Sequence, residues 1–238
     1  MTASLRACVD VRACDLGPAI VLVSYRTGAV QVLTGPSQEW WRQATRTGEA
    51  DGSAPLVDRL LAKEMVTRES RSARPWPLVS GVSWEPNWGT HELPMGFTPP
   101  PRAPLHVHVA GAIGLALTLT TAVVGSRRKR MNRMVRLVKR VSRWTHRPAT
   151  SQQAERAVHA VRRLGAFSPV RTACLEESVA GTVALALTGH GVRWRHGVMA
   201  DPILLHAWIE TDGDPVAEPD STRKCAVLLT LPPMEENT

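Results

Sequence analysis

The sequence predicts an α+β fold organised in two parts, and three observations support this prediction. With 238 residues, 43% of them hydrophobic and 21% charged, the chain is long enough to bury a core and has the composition of a globular protein. A β-hairpin pattern lies near the start, whereas the C-terminal part shows helix patterns followed by strand patterns, the order of an α+β domain. A proline-rich stretch separates the two parts.

Residues 1–70 are predicted to form a small module of three strands and two or three helices. Residues 19–33 read AIVLVSYRTGAVQVL, two β-branched runs around a turn in which Gly28 supplies a positive φ. A further strand is expected over residues 5–11, and a helix is expected from Pro55 onward. Such a module has one modest core.

Residues 71–104 are rich in proline and also contain Trp76, Trp84 and Trp88. Proline lacks the backbone N–H that helices and central strands need, so this stretch suits neither. We interpret it as a linker that its tryptophans hold against a domain surface.

Residues 105–147 are predicted to be helical, first apolar and then basic. Residues 103–126 contain no Asp, Glu, Lys or Arg and are followed directly by four basic residues. The length of this uncharged segment and the basic residues after it resemble a transmembrane span. However, His106 and His108 dilute the apolar run, and a span would put the two parts of the chain on opposite sides of a membrane. We therefore expect a buried or partner-binding helix, and membrane contact is not our preferred interpretation.

Positive charge is concentrated in one segment of the chain. Ten basic residues and no acidic ones lie between Arg127 and Arg147, while bases and acids nearly balance elsewhere. This pattern argues against a basic surface over the whole protein, and we expect no nucleic-acid partner. The stripe Met134, Leu137, Val138, Val141 and Trp144 predicts an amphipathic helix. Its basic face is either solvated or meets an acidic peptide, an acidic partner protein or an anionic membrane surface.

The cysteines and the N-terminal residues favour a cytoplasmic protein without a metal or cofactor. The four cysteines include no C-x-x-C pair, which leaves a zinc ribbon or redox dithiol unsupported. The first residues show no apolar segment of a secretory signal. No Gly-rich loop ending in Lys-Ser or Lys-Thr is present, so we expect no nucleotide site.

Residues 148–238 are predicted to form the second domain. Thr150 and Gln153 form a capping-box pattern at the start of one helix, and a second helix is expected over residues 173–187. Strand patterns follow, with a hairpin turn at Asp212-Gly213. Two helices followed by an antiparallel sheet make this domain α+β.

Three side chains of this domain could form a catalytic unit. Cys174 falls in the first turn of the second helix, where unpaired backbone N–H groups and the helix dipole favour a thiolate. His206 lies in the strand ILLHAWIETD, on the face that also presents Trp208. A carboxylate must orient the imidazole, and both Glu218 and Asp220 are candidates. Each of these residues could instead serve a purely structural role.

The segments CLEESVAGTVALALTGHGVRW, GVMADPILLHAWIE and TDGDPVAEP resemble the transglutaminase-like cysteine leader peptidase of lasso-peptide biosynthesis. The resemblance covers roughly residues 130–232. It implies a transglutaminase-like, papain-type domain in which Cys174 is the nucleophile and His206 the general base. At the third position this sequence has Glu218 where several relatives have Asp, so Glu218 and Asp220 both stay open.

The hairpin VLVSYRTGAVQVL and the tryptophan-containing helix after it resemble the precursor-recognition element, a winged-helix-like unit similar to the pyrroloquinoline-quinone chaperone. In that fold a leader peptide adds as an extra strand beside the third strand and the last helix. The residues thereby assigned to leader binding are Ala29, Val30, Gln31, Val32, Leu33, Leu56, Leu60 and Lys63.

Together the resemblances imply a leader peptidase fused to its recognition element. Its partners would be the leader of a lasso precursor peptide and an ATP-dependent cyclase that closes the macrolactam. Two alternatives stay open: a non-catalytic peptide-binding scaffold of a peptide-modifying complex, and a membrane-surface protein anchored by residues 103–147.

Overall fold

The computed structural model describes residues 5–48, 50, 54–68, 73–81, 103–168 and 172–232. The chain divides into two units, the first made of residues 1–85 with 128–132 and the second of residues 86–127 with 133–238. Both units contain helices and strands, so the fold is a mixed helix and sheet structure.

The first unit contains the hairpin and both helices expected for the N-terminal part. Its elements are β1 (Arg6–Cys8), β2 (Val11–Asp15), β3 (Ala19–Ser24), β4 (Val30–Thr34), α1 (Pro36–Thr47), α2 (Ala54–Ala62), β5 (Val66–Thr67), β6 (Ala73–Arg74) and β7 (Val79–Ser80). The strands form a sheet of order β4-β3-β2-β7, in which only β2 and β7 are parallel, and a small antiparallel sheet of order β5-β1-β6. The β3–β4 hairpin is confirmed, and Gly28 has a φ of 73°. Strand β4 lies at an edge of its sheet.

The strand predicted for residues 5–11 is divided between two sheets. The chain turns at Val9 and Asp10, so β1 joins the small sheet and β2 joins the large one. The turn is held at both ends, since the Cys8 amide donates to the Met65 carbonyl at 3.1 Å and the Tyr25 amide donates to the Asp10 carbonyl at 2.9 Å. Sequence alternation does not reveal this break because both strands are equally apolar.

The core of the first unit includes part of the stretch predicted to be a linker. Trp76 is buried and packs edge-on against Trp41, with ring centroids 4.8 Å apart. The Trp41 indole donates to the Pro77 carbonyl at 3.1 Å. Residues 73–81 therefore belong to this unit, a correction to the predicted linker, because a buried indole fixes them in the core. Trp84, Trp88 and the rest of that stretch to residue 102 lie outside the described residues.

The second unit begins with helices and ends with a sheet. Its elements are α3 (Leu105–Val123), α4 (Arg130–Val141, whose first three residues group with the first unit), β8 (Arg147–Pro148), α5 (Ser151–Gly165), α6 (Cys174–Leu187), β9 (His190–Gly191), β10 (Arg193–Met199), β11 (Leu204–Thr211), β12 (Asp214–Pro215) and β13 (Ala226–Leu231). The main sheet is antiparallel with order β12-β11-β10-β13, and β8 pairs with β9 in parallel.

Helices α3, α5 and α6 pack on one another at close range. A Cβ at Gly114 would lie 2.5 Å from the Ala180 carbonyl oxygen, so α3 can approach α6 only through a glycine. A Cβ at Gly181 would lie 2.8 Å from the Ile209 side chain, which places α6 directly on β11. This packing fixes the start of α6 relative to the sheet.

Residues 105–147 contain the two helices α3 and α4. Helix α3 has a mean hydropathy of 1.5 over a span long enough to cross a membrane, and 28% of that span is buried. In α4 the stripe residues Met134, Val138 and Val141 are buried, as predicted for an amphipathic helix. Trp144 is exposed instead, because the chain leaves the α-helix at Val141 and enters a 3₁₀ turn.

Candidate active site

Cys174 is the first residue of α6, as the sequence predicts. Ala173 precedes it in an extended conformation, and its backbone N–H donates to the Glu176 carboxylate at 3.2 Å. The first N–H groups of an α-helix have no intrahelical acceptor, so they direct positive potential toward the Cys174 sulfur. The same N–H groups can donate to an oxyanion formed beside that sulfur.

His206 reaches the start of α6 from strand β11. It lies opposite Gly197 in the register with β10, where a Cβ would stand 2.5 Å from the Ala226 carbonyl oxygen and 3.0 Å from the Trp208 ring. The Trp208 ring stacks on the imidazole, with centroids 5.8 Å apart and planes at 14°. The indole therefore restricts how the imidazole can turn, and its face is a favourable neighbour for an imidazolium.

Glu218 is the carboxylate that the structure brings to His206. Its Oε2 lies 2.9 Å from His206 Nε2, and its side chain is only 6% exposed. The preceding residue, Ala217, has a φ of 53°, in the left-handed region that non-glycine residues seldom adopt. Asp220, the alternative, is exposed at the first position of a 3₁₀ helix and forms neither a hydrogen bond nor an ion pair with the imidazole. Of these two carboxylates, Glu218 is therefore the one placed to orient the imidazole of His206.

Arg162 of α5 is part of the site, and sequence reasoning missed it. Its Nη2 donates to Glu218 Oε1 at 2.5 Å and its Nε donates to Glu177 Oε2 at 3.1 Å. Its Nη1 donates to the Ala217 carbonyl. One guanidinium thus holds the carboxylate, the left-handed residue before it and the first turn of α6. No signal separates Arg162 in the sequence from the other basic residues of the same helix.

The surroundings of His206 favour its protonated form. Burial alone lowers the pKa of His206, but hydrogen bonds to Cys174 and Glu218 and the negative charge of these groups outweigh burial and raise it to about 9. Because Glu218 occupies Nε2, Nδ1 is the ring nitrogen that can face Cys174. This arrangement favours the imidazolium form of His206 at neutral pH.

Two further titratable residues near the site stay neutral. Burial, followed by the negative charges of Glu218 and Cys174, raises the pKa of Cys225 to about 11. Burial, followed by the positive charge of His206, lowers the pKa of His196 to about 4. Neither residue therefore competes with Cys174 or His206 as an ionised group at neutral pH. In the described part of the chain no cluster of three or more His, Cys, Asp or Glu could hold a metal ion.

The residues predicted to bind a leader peptide lie in the first unit, and the structure divides them into two groups. Val30 and Val32 of β4 are each 38% exposed, and Gln31 is half-buried with its Oε1 accepting from Lys63 Nζ at 2.7 Å. Ala29 and Leu56 are partly buried against the core.

Leu33 and Leu60 require a correction. Both side chains are completely buried in the hydrophobic core of the first unit. Strand alternation points Leu33 inward, and Leu60 faces the sheet from α2, so neither side chain is available to a peptide. Only exposed backbone of β4 and the side chains around it can serve that purpose.

Residues 116–230 match the Transglutaminase-like superfamily, a segment that covers slightly less than half of the chain. The matched segment includes Arg162, Cys174, His206 and Glu218. The second unit therefore contains a transglutaminase-like superfamily domain, and this superfamily includes both cysteine peptidases and transglutaminases. No curated protein and no solved structure matches the chain.

Proposed function

We propose that this protein is the leader peptidase of a lasso-peptide pathway, fused to the element that recognises the precursor. One observation supports the peptidase assignment above all others: Cys174 lies at a helix start, close enough to His206 to raise its pKa, and His206 in turn contacts Glu218. The transglutaminase-like domain is compatible with a cysteine peptidase-type fold. The resemblance of the sequence motifs supplies the finer assignment to lasso peptides.

The first chemical step is attack of the Cys174 thiolate on the carbonyl carbon of the scissile peptide bond. Backbone N–H groups in the first turn of α6 donate to the oxyanion that forms. The His206 imidazolium then donates its proton to the leaving nitrogen, so the C–N bond breaks and the core peptide departs with a free amine. The leader stays on Cys174 as a thioester.

Water resolves this thioester in the second step. Neutral His206 accepts a proton from the water as its oxygen attacks the thioester carbon, and the C–S bond breaks. The leader leaves with a new carboxylate, and the thiolate–imidazolium pair is regenerated. Throughout, Glu218 keeps Nε2 occupied so that Nδ1 faces the sulfur, and Arg162 holds Glu218 in place.

Recognition of the leader is proposed for the free edge of β4. In the register with β3, the pair Ser24 and Ala29 is joined by a backbone hydrogen bond of 2.9 Å, and hydrogen-bonded pairs alternate along an antiparallel ladder. The N–H groups of Val30 and Val32 therefore point away from β3. An extended leader can pair with these N–H groups as an added strand. The contact between Gln31 and Lys63 lies on the side of β4 from which the end of α2 approaches this edge.

The proposed partners are the precursor leader and an ATP-dependent cyclase that uses the released amine to close the macrolactam. A cytoplasmic location suits a pathway that acts on newly made precursor. The alternative of a non-catalytic scaffold gives no role to the contacts among thiol, imidazole and carboxylate, and we favour the enzyme for that reason.

The test is reconstitution with synthetic precursor peptide, with and without cyclase and ATP, followed by mass spectrometry. The proposal expects two fragments that add up to the precursor plus one water, and no cleavage by the Cys174→Ala variant. Addition of a small amine that yields a leader–amine adduct as the main product would instead assign transamidation. Precursor that binds but stays intact under every condition would favour the scaffold.

A further inference from the structure

Helix α3 exposes an apolar stripe that the proposed peptidase chemistry does not use. The stripe consists of the exposed apolar residues on the outward side of the helix and just beyond its end: Leu105, Val109, Ile113, Leu117, Val123 and Val124. The first four recur every four residues, so they follow one face of the helix over most of its length of about 28 Å. A contiguous patch of exposed apolar side chains on a soluble protein commonly marks a site that contacts another molecule.

The opposite side of α3 is fixed to the rest of the second unit. Gly111 faces Ala160 of α5, where a Cβ would meet the Ala160 side chain at 3.4 Å, and Gly114 faces Ala180 of α6. Helix α5 also contains Glu155, Arg156, Arg162 and Arg163, which would have to enter the bilayer with α3. A transmembrane orientation therefore conflicts with the packing, and an orientation parallel to a surface does not.

Exposed positive charge begins three residues after the stripe ends. In the second unit Arg127 is exposed, and Arg136, Lys139, Arg140 and Arg143 are exposed on or just after α4. No Asp or Glu occurs between Glu92 and Glu155, so nothing within this stretch of sequence offsets the charge. Exposed Trp144, beside these cations, is a residue type that favours the boundary between lipid and water.

We propose that the apolar stripe of α3 and the basic residues after it bind the anionic surface of a lipid membrane. The apolar residues enter the boundary between headgroups and acyl chains, while the cations contact anionic headgroups. A second copy of the chain is a poorer occupant, since it would bring the same excess of positive charge toward the contact. This surface does not depend on the proposed peptidase activity.

The experiment is co-sedimentation of the full chain with vesicles of phosphatidylcholine alone or with about 30% phosphatidylserine. We expect at least about 10-fold stronger binding to the anionic vesicles, and a large loss of binding in about 0.5 M salt. The double variant Ile113→Asp, Leu117→Asp is expected to bind at least about 10-fold more weakly. Val9→Asp, at an apolar position of similar exposure in the first unit, is the matched control and should bind like the wild type.

The charge contribution is tested by Arg136→Gln with Lys139→Gln, against Arg59→Gln with Arg156→Gln at exposed positions elsewhere. Should the Asp variant unfold, as judged by its circular-dichroism melt, the milder pair Ile113→Ser, Leu117→Ser provides the same comparison. The proposal is overturned if neither vesicle binds, or if stripe variants bind as well as the wild type. It is also overturned if the chain without lipid is a dimer that the stripe variants convert to monomer.

Discussion

The candidate active site of the second unit is made of partly or fully buried side chains that contact one another, whereas the proposed peptide-binding edge of the first unit is made of strand backbone. His206 is held by Glu218 and Trp208, and Glu218 is held by Arg162. Strand β4, in contrast, lies at the edge of its sheet, and its register with β3 directs the N–H groups of Val30 and Val32 away from that strand. The chemical groups are positioned before any substrate arrives, but the binding edge is completed by the peptide itself. Substitutions in the two regions should therefore fail in different ways.

The largest expected effect is loss of His206. His206→Ala removes both the proton donor to the leaving amine and the partner of the thiolate, so the cleavage rate should fall by about 10³-fold or more. Leader affinity should not change, since the binding edge lies in the other unit. His159→Ala, a half-buried histidine of α5, is the control and should cleave normally. Cleavage by His206→Ala within a few-fold of the wild type would remove His206 from the mechanism.

Glu218→Gln should reduce the cleavage rate by about 100-fold and also change its pH dependence. Hydrogen bonding to Cys174 and Glu218 raises the pKa of His206 to about 9, so wild-type activity should persist up to that pH and decline above it. Without the carboxylate charge, that pKa falls and the alkaline decline begins at lower pH. Asp220→Asn should leave both rate and profile unchanged. The reverse order of the two variants would transfer the orienting role to Asp220.

Arg162→Gln is expected to reduce the cleavage rate by about 30-fold by releasing Glu218 and the Ala217 carbonyl. Arg162→Lys should recover part of this loss, because a cation near Glu218 remains while the forked contact does not. The alkaline limb of the pH profile is the readout that separates positioning from mere destabilisation. Arg156→Gln, an exposed arginine of the same helix, is the control. An unchanged rate for Arg162→Gln would show that Glu218 needs no support.

The smallest expected effect concerns the binding edge. Val32→Pro removes one outward N–H that does not belong to the ladder with β3, so leader affinity should fall by about 5- to 10-fold while the fold persists. Val32→Thr keeps the N–H and should bind normally. Titration calorimetry with the full chain and a leader peptide measures both. Equal affinity for the Pro and Thr variants would place the leader elsewhere.

The parts of the site that the sequence predicts are those encoded locally. The capping box is present, with the Gln153 amide donating to Thr150 Oγ1 at 3.3 Å, and α6 begins at Cys174 as expected. Strand alternation places His206 and Trp208 on one face, and their rings stack. Each of these features follows from residues within a few positions of one another.

The parts that sequence reasoning missed depend on distant contacts. Arg162 precedes Glu218 by 56 residues, and nothing local marks it as that carboxylate's partner. Whether Glu218 or Asp220 lies beside His206 depends on the left-handed conformation of Ala217. An alanine in the sequence gives no signal that its backbone will adopt this conformation. Trp76 belongs to the core of the first unit because its ring packs against Trp40 and Trp41. The prolines near Trp76 in the sequence predict a linker instead, because they do not reveal this packing. These three features are determined by packing between distant parts of the chain and not by the local structural propensity of the residues.

The central claim, a Cys174 thiolate paired with the His206 imidazolium, is tested most directly by alkylation of the folded protein with iodoacetamide across pH. Peptide mapping identifies the labelled residue, and the buried Cys8, Cys14 and Cys225 should stay unmodified. We expect Cys174 to react at a nearly constant rate from about pH 6 to about pH 9, the pKa of His206, because the proposed ion pair keeps the sulfur as a thiolate over this range. In His206→Ala the rate should instead rise with pH as for an ordinary thiol. A wild-type rate at Cys174 that rises tenfold per pH unit over this range would contradict the ion pair.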